Sequence, residues 1–358
     1  MNPTVIDLFS GCGGLTEGFR QQGYKSLYAV EWDGAASATY SQNFGNHIVC
    51  KDITEIDEKA IPQADVVVGG PPCQGFSQLG TRDSDDPRNL LWREYARVVH
   101  HVRPAVFVLE NVPRFLKSGQ FDLMQDMTAK GGLLEEYELA FDVLNAADFG
   151  VAQRRRRAIV IGSRVAAPSI PWPTHGERVR QPWIGLREAL EGVPFEAGPS
   201  DLPDRELPNG IPGPFKASEL HLSRNPRELS LRRYDSVPPG GNRFDLPEEL
   251  LPDCWRNKPS GTTDVMGRLE WDRPSLTIRT EFFKPEKGRY LHPQWEADTS
   301  RRINRPITHW EAARIQGFPD DFVWCGSKIE IARQIGNAVP VGLAAALARH
   351  IQDEIVDS

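Results

Sequence analysis

The chain has 358 residues, enough for about two domains at roughly 150 residues each. Its 39% hydrophobic and 25% charged residues are those of an ordinary globular protein and exclude extended disorder. The net charge is −7, and five cysteines without a CxxC pair exclude a disulfide framework or a zinc ribbon.

No metal site is expected. No apolar run is read as reaching the ~18–20 residues of a membrane helix. Residues 1–9 lack a secretory pattern, so the expected location is the cytoplasm, without a membrane partner. The overall charge hides an asymmetry. Residues 1–150 carry 12 Lys and Arg against 21 Asp and Glu, whereas residues 151–305 carry 26 against 21. Of the basic residues 32 are Arg and 10 Lys, and arginine is the better fork for phosphates and guanine edges.

In chain order, residues 4–9 read as a short apolar strand, 14–22 as a helix, and 26–30 and 47–50 as two further strands. The β-branched run 64–68 is a strand, 90–101 has helical spacing with Leu91, Tyr95 and Val98 on one side, and 105–109 and 158–161 are strands again. Short apolar strands alternating with helices predict an α/β fold with a mostly parallel sheet. The texture changes near Arg164. Residues 165–260 hold 16 of the 29 prolines and, with Trp172, Trp183 and Trp255, read as an irregular folded domain. Thr308 and Glu311 form a capping box for a helix over 308–316 that Gly317 ends, and an apolar helix over 341–355 closes the chain.

Four motifs carry chemistry. Asp7-Leu8-Phe9-Ser10-Gly11-Cys12-Gly13-Gly14 takes the first strand through glycines into a helix, at the strand end where doubly wound folds bind ligands. Glu31-Trp32 and Asp52-Ile53 end the next two strands. Each acid alone reads as a solvated loop residue, but the ordered series suggests an adenosine-containing cofactor, with the acids accepting from hydroxyls or an amino group and the indole stacking. In Gly69-Gly70-Pro71-Pro72-Cys73-Gln74-Gly75-Phe76-Ser77, glycines and prolines present Cys73 at a strand end as a nucleophile; the other cysteines read as inert. Glu110-Asn111-Val112 places an acid where apolar surroundings favour its protonated form. In Gln153-Arg154-Arg155-Arg156-Arg157 alternate residues share a face, so Arg155 and Arg157 point together, opposite Arg154 and Arg156.

These motifs, in this order, resemble those of the DNA cytosine-5 methyltransferase family. DLFSGCGG is similar to its cofactor motif, PPCQGFS to its nucleophile motif, ENV to its acid motif and QRRRR to its Gln-x-Arg-x-Arg motif. RPITHWEAARIQGFPDDF and QIGNAVP are similar to its last two. Two departures are Ala338 where many members have serine, and arginine at every variable position of the Gln-x-Arg-x-Arg motif. The resemblance implies a Rossmann-like S-adenosyl-L-methionine-dependent domain in residues 1–174, a target-recognition domain in 175–304, a hinge and motif region in 305–331, and a return to the catalytic domain in 332–358.

It further implies that Phe9, Gly11, Cys12, Gly13, Gly14, Leu15, Glu31, Trp32, Asp52, Ile53, Pro71, Leu91, Asn337 and Val339 hold S-adenosylmethionine, which leaves as S-adenosylhomocysteine. Cys73 attacks C6 of an extruded cytosine. Glu110 holds or protonates N3, and Arg155 or Arg157 steadies O2. Gln74, Ser77, Asn111, Val112 and Gln153 would touch the DNA, and the segment 78–89 reads as a loop closing over it. Arg268, Arg273 and Arg279, with Arg289, Arg301 and Arg302, are the candidate DNA contacts of the middle region.

The expected enzyme is a sequence-specific DNA (cytosine-5-)-methyltransferase, bacterial or phage-encoded. It would be monomeric, act on double-stranded DNA, and serve as a solitary methylase or alongside a cognate restriction endonuclease that need not bind it. The alternatives are a transfer-RNA cytosine-5 methyltransferase sharing the catalytic domain, and a nicotinamide-dependent oxidoreductase sharing the fold.

Overall fold

Residues Val5, Ile6 and Leu8 have no reason to leave the interior, and the strand they form, β1 (Thr4–Leu8), is an inner strand of the sheet. The computed structural model describes residues 2–72, 91–256 and 260–353. After β1 come α1 (Gly14–Gln21), β2 (Lys25–Glu31), α2 (Gly34–Phe44), β3 (Ile48–Cys50), β4 (Val66–Gly69), α3 (Leu91–Val102), β5 (Val106–Asn111), α4 (Gly119–Thr128), β6 (Glu138–Asn145), β7 (Gln153–Arg154) and β8 (Arg156–Ser163). Seven of these strands form one sheet in the order β3-β2-β1-β4-β5-β8-β6. The pairs among β1 to β5 are parallel, while β8 runs antiparallel to both β5 and β6. The strand order changes direction between β1 and β4, with β2 and β3 added on one side and β4 and β5 on the other, the position at which open α/β sheets leave a crevice for ligands.

The expected strands and the helices α1 and α3 are present, each displaced by a residue or two. Three features go beyond the sequence reading. Strand β8, whose direction the sequence reading left open within a mostly parallel sheet, is antiparallel to its neighbours. Helix α2 is a run of Ala, Ser and Thr without an apolar stripe, so its periodicity gives no signal. Strand β6 is largely exposed at the sheet edge and lacks the apolar run that marks a buried strand.

The chain divides into two compact units. The first comprises residues 1–150, 155–181 and 338–358, the second 151–154 and 182–337. These divisions differ from the expected ones: the first unit extends past 174, and the return begins at Ala338, not at 332. In the first unit the C-terminal helix Val341–Ile351 packs on α1, and the Tyr24 hydroxyl donates to the Ala348 carbonyl (3.2 Å). The stretch from Lys328 to Ile351 is long and apolar enough to cross a membrane, contrary to the reading of the sequence, but most of its apolar window is buried inside the protein. It forms two helices, Lys328–Asn337 in the second unit and Val341–Ile351 in the first.

Among the described residues, the strands of the second unit are two or three residues long. Gly267–Arg268 pairs with Arg289–Leu291, β7 with Ser275–Leu276, and Val323–Trp324 with Phe215–Lys216. An apolar cluster of Tyr234, Val237, Leu246, Met266 and Leu291 supports them. The predicted capping box is present: Thr308 caps the helix His309–Ile315, Glu311 returns a bond to the Thr308 N–H (2.7 Å), and Gly317 turns left-handed at φ 89°.

A methyl group built on Gly18 would stand 2.4 Å from the Ala344 Cβ and 2.6 Å from the Ala345 nitrogen. Gly18→Ala must push α1 off the C-terminal helix. It is expected to lower stability by about 1–3 kcal/mol, the usual cost of overpacking, as read by urea denaturation.

Candidate active site

The first-strand motif turns on two glycines and one strained residue. Phe9 (φ 59°), Gly11 (φ 54°) and Gly13 (φ 95°) are all left-handed, and α1 starts immediately afterwards. A Cβ at Gly11 would meet nothing within 4 Å, so the turn is open there. One at Gly14 would stand 2.5 Å from the Val339 carbonyl oxygen, which brings Val339 against the motif. Cys12 and Leu15 are buried beneath the turn, and burial pushes the Cys12 thiol up, away from reactivity.

Glu31, at the end of β2, fastens this turn. The Gly11 N–H donates to its Oε2 (2.8 Å) and the Asp33 N–H to its Oε1 (2.9 Å). Burial raises its pKa against the pull of these two donors. One oxygen of each bond retains a lone pair, so the carboxylate can also accept from hydroxyl groups of a ligand. Trp32 beside it is 72% exposed, a free indole face at the same strand end. Asp52 caps the short helical turn Ile53–Glu55, its Oδ1 accepting from the Thr54 N–H (2.9 Å) and hydroxyl (2.7 Å). Ile53 is buried in the main core and Leu91 packs against that core. Glycine turn, twice-fastened acid and open indole together have the chemistry of a nucleoside site.

One residue of this region was missed by the sequence reading. Asp7 is fully buried, its Oδ2 accepting from the Thr16 hydroxyl (2.7 Å) and N–H (3.2 Å), while its Oδ1 has no hydrogen-bond partner among the described residues. Burial pushes its pKa up to about 7, with a smaller push from Glu31. An acid inside an otherwise apolar strand was the available signal.

A second cluster lies at the ends of β4, β5 and β8. Glu110 on β5 pairs with Arg157 on β8 at 2.6 Å, with side chains 12% and 15% exposed. Gly70 stands so close that a Cβ there would be 3.0 Å from Glu110 Oε2. Asn111 donates from Nδ2 to the Pro71 carbonyl (3.1 Å) and accepts the Val112 N–H (2.8 Å). Asn111 therefore fixes the backbone path after β4. Arg155 is buried and its carbonyl accepts the Ala146 N–H (2.9 Å). Arg154 and Arg156 are exposed, so the expected alternation holds. Cys73, Gln74, Ser77 and the segment 78–89 lie outside the described residues.

Two expected DNA contacts are corrected. Gln153 is fully buried in the second unit, donating to Gln316 Oε1 (2.7 Å) and accepting the Ile278 N–H (2.8 Å). Arg268 is 0% exposed, and its nitrogens donate to the carbonyls of Val237, His292, Ile303 and Tyr234 and to Asn304 Oδ1, at 2.7–2.9 Å. Both side chains are interior in this structure. Arg273 lies 3.7 Å from Glu270, and Arg279 pairs with Asp264 at 3.0 Å. Asn337 ends the helix Lys328–Asn337 of the second unit.

The pattern of C-5 cytosine-specific DNA methylases matches residues 3–191 and 250–353. The chain is 34% identical over 363 residues to the type II methyltransferase M1.HphI of Haemophilus parahaemolyticus, spanning 98% of this chain and 87% of that protein. It is 32% identical over 383 residues to the type II methyltransferase M.DdeI of Desulfomicrobium norvegicum, spanning 97% and 88%. Among solved structures it superposes on a prophage-encoded protein of E. coli, assigned as a DNA modification methyltransferase, with a TM-score of 0.71 at 24% identity over 99% of this chain and all of that one. The S. pombe Dnmt2 methyltransferase gives 0.63 at 17% identity, over 98% and 99%.

The folded pKa of Asp7 exceeds its unfolded value, so folding favours the protonated form. This contribution is fully present below about pH 4 and is lost as pH rises towards 7. Asp7→Asn is expected to flatten the fall in stability between pH 4 and 7 relative to wild type. Urea midpoints of both proteins across that range check it, and parallel curves refute it.

Proposed function

The chain belongs to the C-5 cytosine-specific DNA methylase family, and from that premise we propose how its own residues divide the work. It is a DNA cytosine-5 methyltransferase with an α/β fold. The observation that carries the residue assignment is the Glu110–Arg157 pair standing against Gly70, two residues before the Pro72–Cys73 step.

Methyltransferases of this family use S-adenosylmethionine, which when bound supplies the methyl group for C5. The residues suited to hold it are the turn Phe9–Gly14, with Glu31 accepting from ribose hydroxyls, Trp32 stacking on the adenine, and Asp52 and Ile53 at the adenine edge. Pro71, Leu91, Val339 and Asn337 complete the assignment. Fit is supported by the open space at Gly11 and by the remaining acceptor capacity of Glu31.

The substrate is a cytosine in double-stranded DNA, extruded because C6 is out of reach inside the stack. The Cys73 thiolate adds to C6, and the bond electrons make C5 nucleophilic. Glu110 holds the N3 position and moves a proton there, steered by Arg157. Arg157 and the buried Arg155 steady O2 as charge develops. After C5 gains the methyl group, loss of the C5 proton expels the Cys73 thiolate and restores the ring. The second unit, with the interval 192–249 outside the family pattern, is assigned to target recognition. We assign the enzyme to the cytoplasm of a bacterium, as part of a restriction-modification system or as a solitary methylase.

The reading is tested by methyl transfer from labelled S-adenosylmethionine to duplex DNA and to transfer RNA. Label is expected in DNA as 5-methylcytosine, and label in RNA alone overturns it. Cys73→Ala is expected to lose the covalent complex with 5-fluorocytosine DNA while still binding cofactor. An adduct formed by this variant removes Cys73 as nucleophile. Glu110→Gln is expected to slow single-turnover methylation ~10²–10⁴-fold, the range of acid–base catalysis, and an unchanged rate refutes the role.

A further inference from the structure

The run Gln153–Arg157 contains two arginines that the reaction above does not use. Arg154 is one of them, at a variable position of the motif. It is exposed and belongs to the second unit, where β7 pairs with Ser275–Leu276 and Arg154 stands opposite Leu276. The Thr277 hydroxyl donates to the Arg154 carbonyl (3.1 Å), and the Tyr290 hydroxyl donates to the Thr277 carbonyl (3.3 Å). Tyr290 adjoins Arg289 in the strand Arg289–Leu291. Two hydrogen bonds thus tie the Arg154 backbone to Thr277 and Thr277 to Tyr290, the strand neighbour of Arg289, and the charge of Arg154 acts on the Arg289 guanidinium.

The other candidate arginines of this unit are committed elsewhere. Arg268 is interior. Arg273, Arg279, Arg301 and Arg302 face Glu270, Asp264, Glu296 and Asp235 respectively. Arg289 is different: its guanidinium is held by the carbonyls of Gly240 (2.6 Å) and Thr263 (3.4 Å). Among the described residues neither Arg154 nor Arg289 has a carboxylate within 4 Å. The charges of Glu270, Asp264 and Asp245 act on Arg289 from further away, while burial and the like charge of Arg154 lower its pKa. Two neighbouring guanidiniums, one of them held in a fixed orientation by carbonyls, suit an anion that both can reach.

We propose that Arg154 and Arg289 form a docking point for a phosphodiester of the DNA substrate. The proposal rests on the DNA methyltransferase reading and assigns to this chain's extra arginine a role in holding the backbone, distinct from the chemistry of Arg155 and Arg157. Phosphate contacts position a protein on DNA without reading sequence, and each one releases counterions, so it registers in the salt dependence of binding.

The test measures duplex DNA affinity against salt concentration for wild type, Arg154→Gln, Arg289→Gln and the double variant. Arg154→Lys and Arg289→Lys are the charge-conserving forms, and the exposed Arg187→Gln, whose residue pairs with Asp272, is the surface control. Each glutamine variant is expected to reduce the slope of log affinity against log salt by about one, and the double by about two. Lysine should restore the slope, and Arg187→Gln should leave both the slope and kcat unchanged. A wild-type slope in Arg154→Gln and Arg289→Gln overturns the proposal, as does a loss equal to theirs in Arg187→Gln. If wild type itself neither binds nor methylates duplex DNA, the underlying reading fails, and this proposal with it.

Discussion

The arrangement of the proposed reaction centre depends on the contact between Glu110 and Arg157 across β5 and β8. A parallel crossover would have brought β8 back in the same direction as β5. Its reversal instead aligns Glu110 with Ile159 and Asn111 with Ala158, so the chain entering β8 lies beside the chain leaving β5. Arg157 then meets Glu110 at the carboxyl ends of the parallel strands. Both side chains are largely shielded from solvent, so removing either leaves a charge in a poorly solvated place. The pair is thus a local constraint as well as a catalytic assignment. A side chain on Gly70 would crowd the Glu110 carboxylate, and Asn111 holds the Pro71 carbonyl just beyond it. The backbone path towards Cys73 is set by β5, one strand away.

The cofactor side of the sheet follows a related rule, with backbone donors taking the place of the guanidinium. Glu31 satisfies N–H groups of Gly11 and Asp33, one before α1 and one before α2. Both helix entries would otherwise leave unpaired donors. By holding them, one carboxylate fixes the turn that a ligand must approach and stays partly available to that ligand. The deeper acid, Asp7, secures the first turn of α1 through Thr16. Thr16 and Tyr40 then connect α1 to α2 by a hydrogen bond of 3.2 Å. The site is built on hydrogen-bonded helix starts at the ends of adjacent strands.

Much of this was legible because it is local. The capping box at Thr308 and Glu311, the glycine turn and the β-branched strands depend on residues a few positions apart. The reversal of β8 could not be read, because an apolar run carries no direction. Helix α2 and strand β6 were invisible because neither has the apolar pattern that marks its class. Asp52 was read as a ligand acceptor, and its observed bonds to Thr54 show that it also caps its own turn. Gln153 and Arg268 were misread for one reason: polarity in a sequence suggests a surface, and burial of a polar side chain depends on partners far along the chain. Arg268 finds four carbonyls and one amide oxygen, all at least 24 residues away.

That misreading has a physical explanation which extends to the whole second unit. Strands of two or three residues satisfy few backbone groups, yet buried carbonyls must be paired. Side chains with several donors do this work. Arg268 collects four carbonyls from three segments, although burial lowers its pKa to about 10. Arg305 braces Glu311 with two bonds of 2.8 Å and also donates to the Phe195 carbonyl. Burial alone would raise the Glu311 carboxyl, but Arg305 and His292 hold it well below the ordinary carboxylate range. An excess of arginine in an irregular domain is therefore partly a substitute for a regular sheet, and counting it overstates the charge offered to DNA. The sequence Gln153–Arg157 shows how finely the two uses are interleaved. Gln153 anchors the second unit, Arg155 is buried and Arg157 meets Glu110, while Arg154 and Arg156 alternate outward. Strand geometry, with its period of two, assigns structural and solvent-facing roles to neighbouring residues of like chemistry.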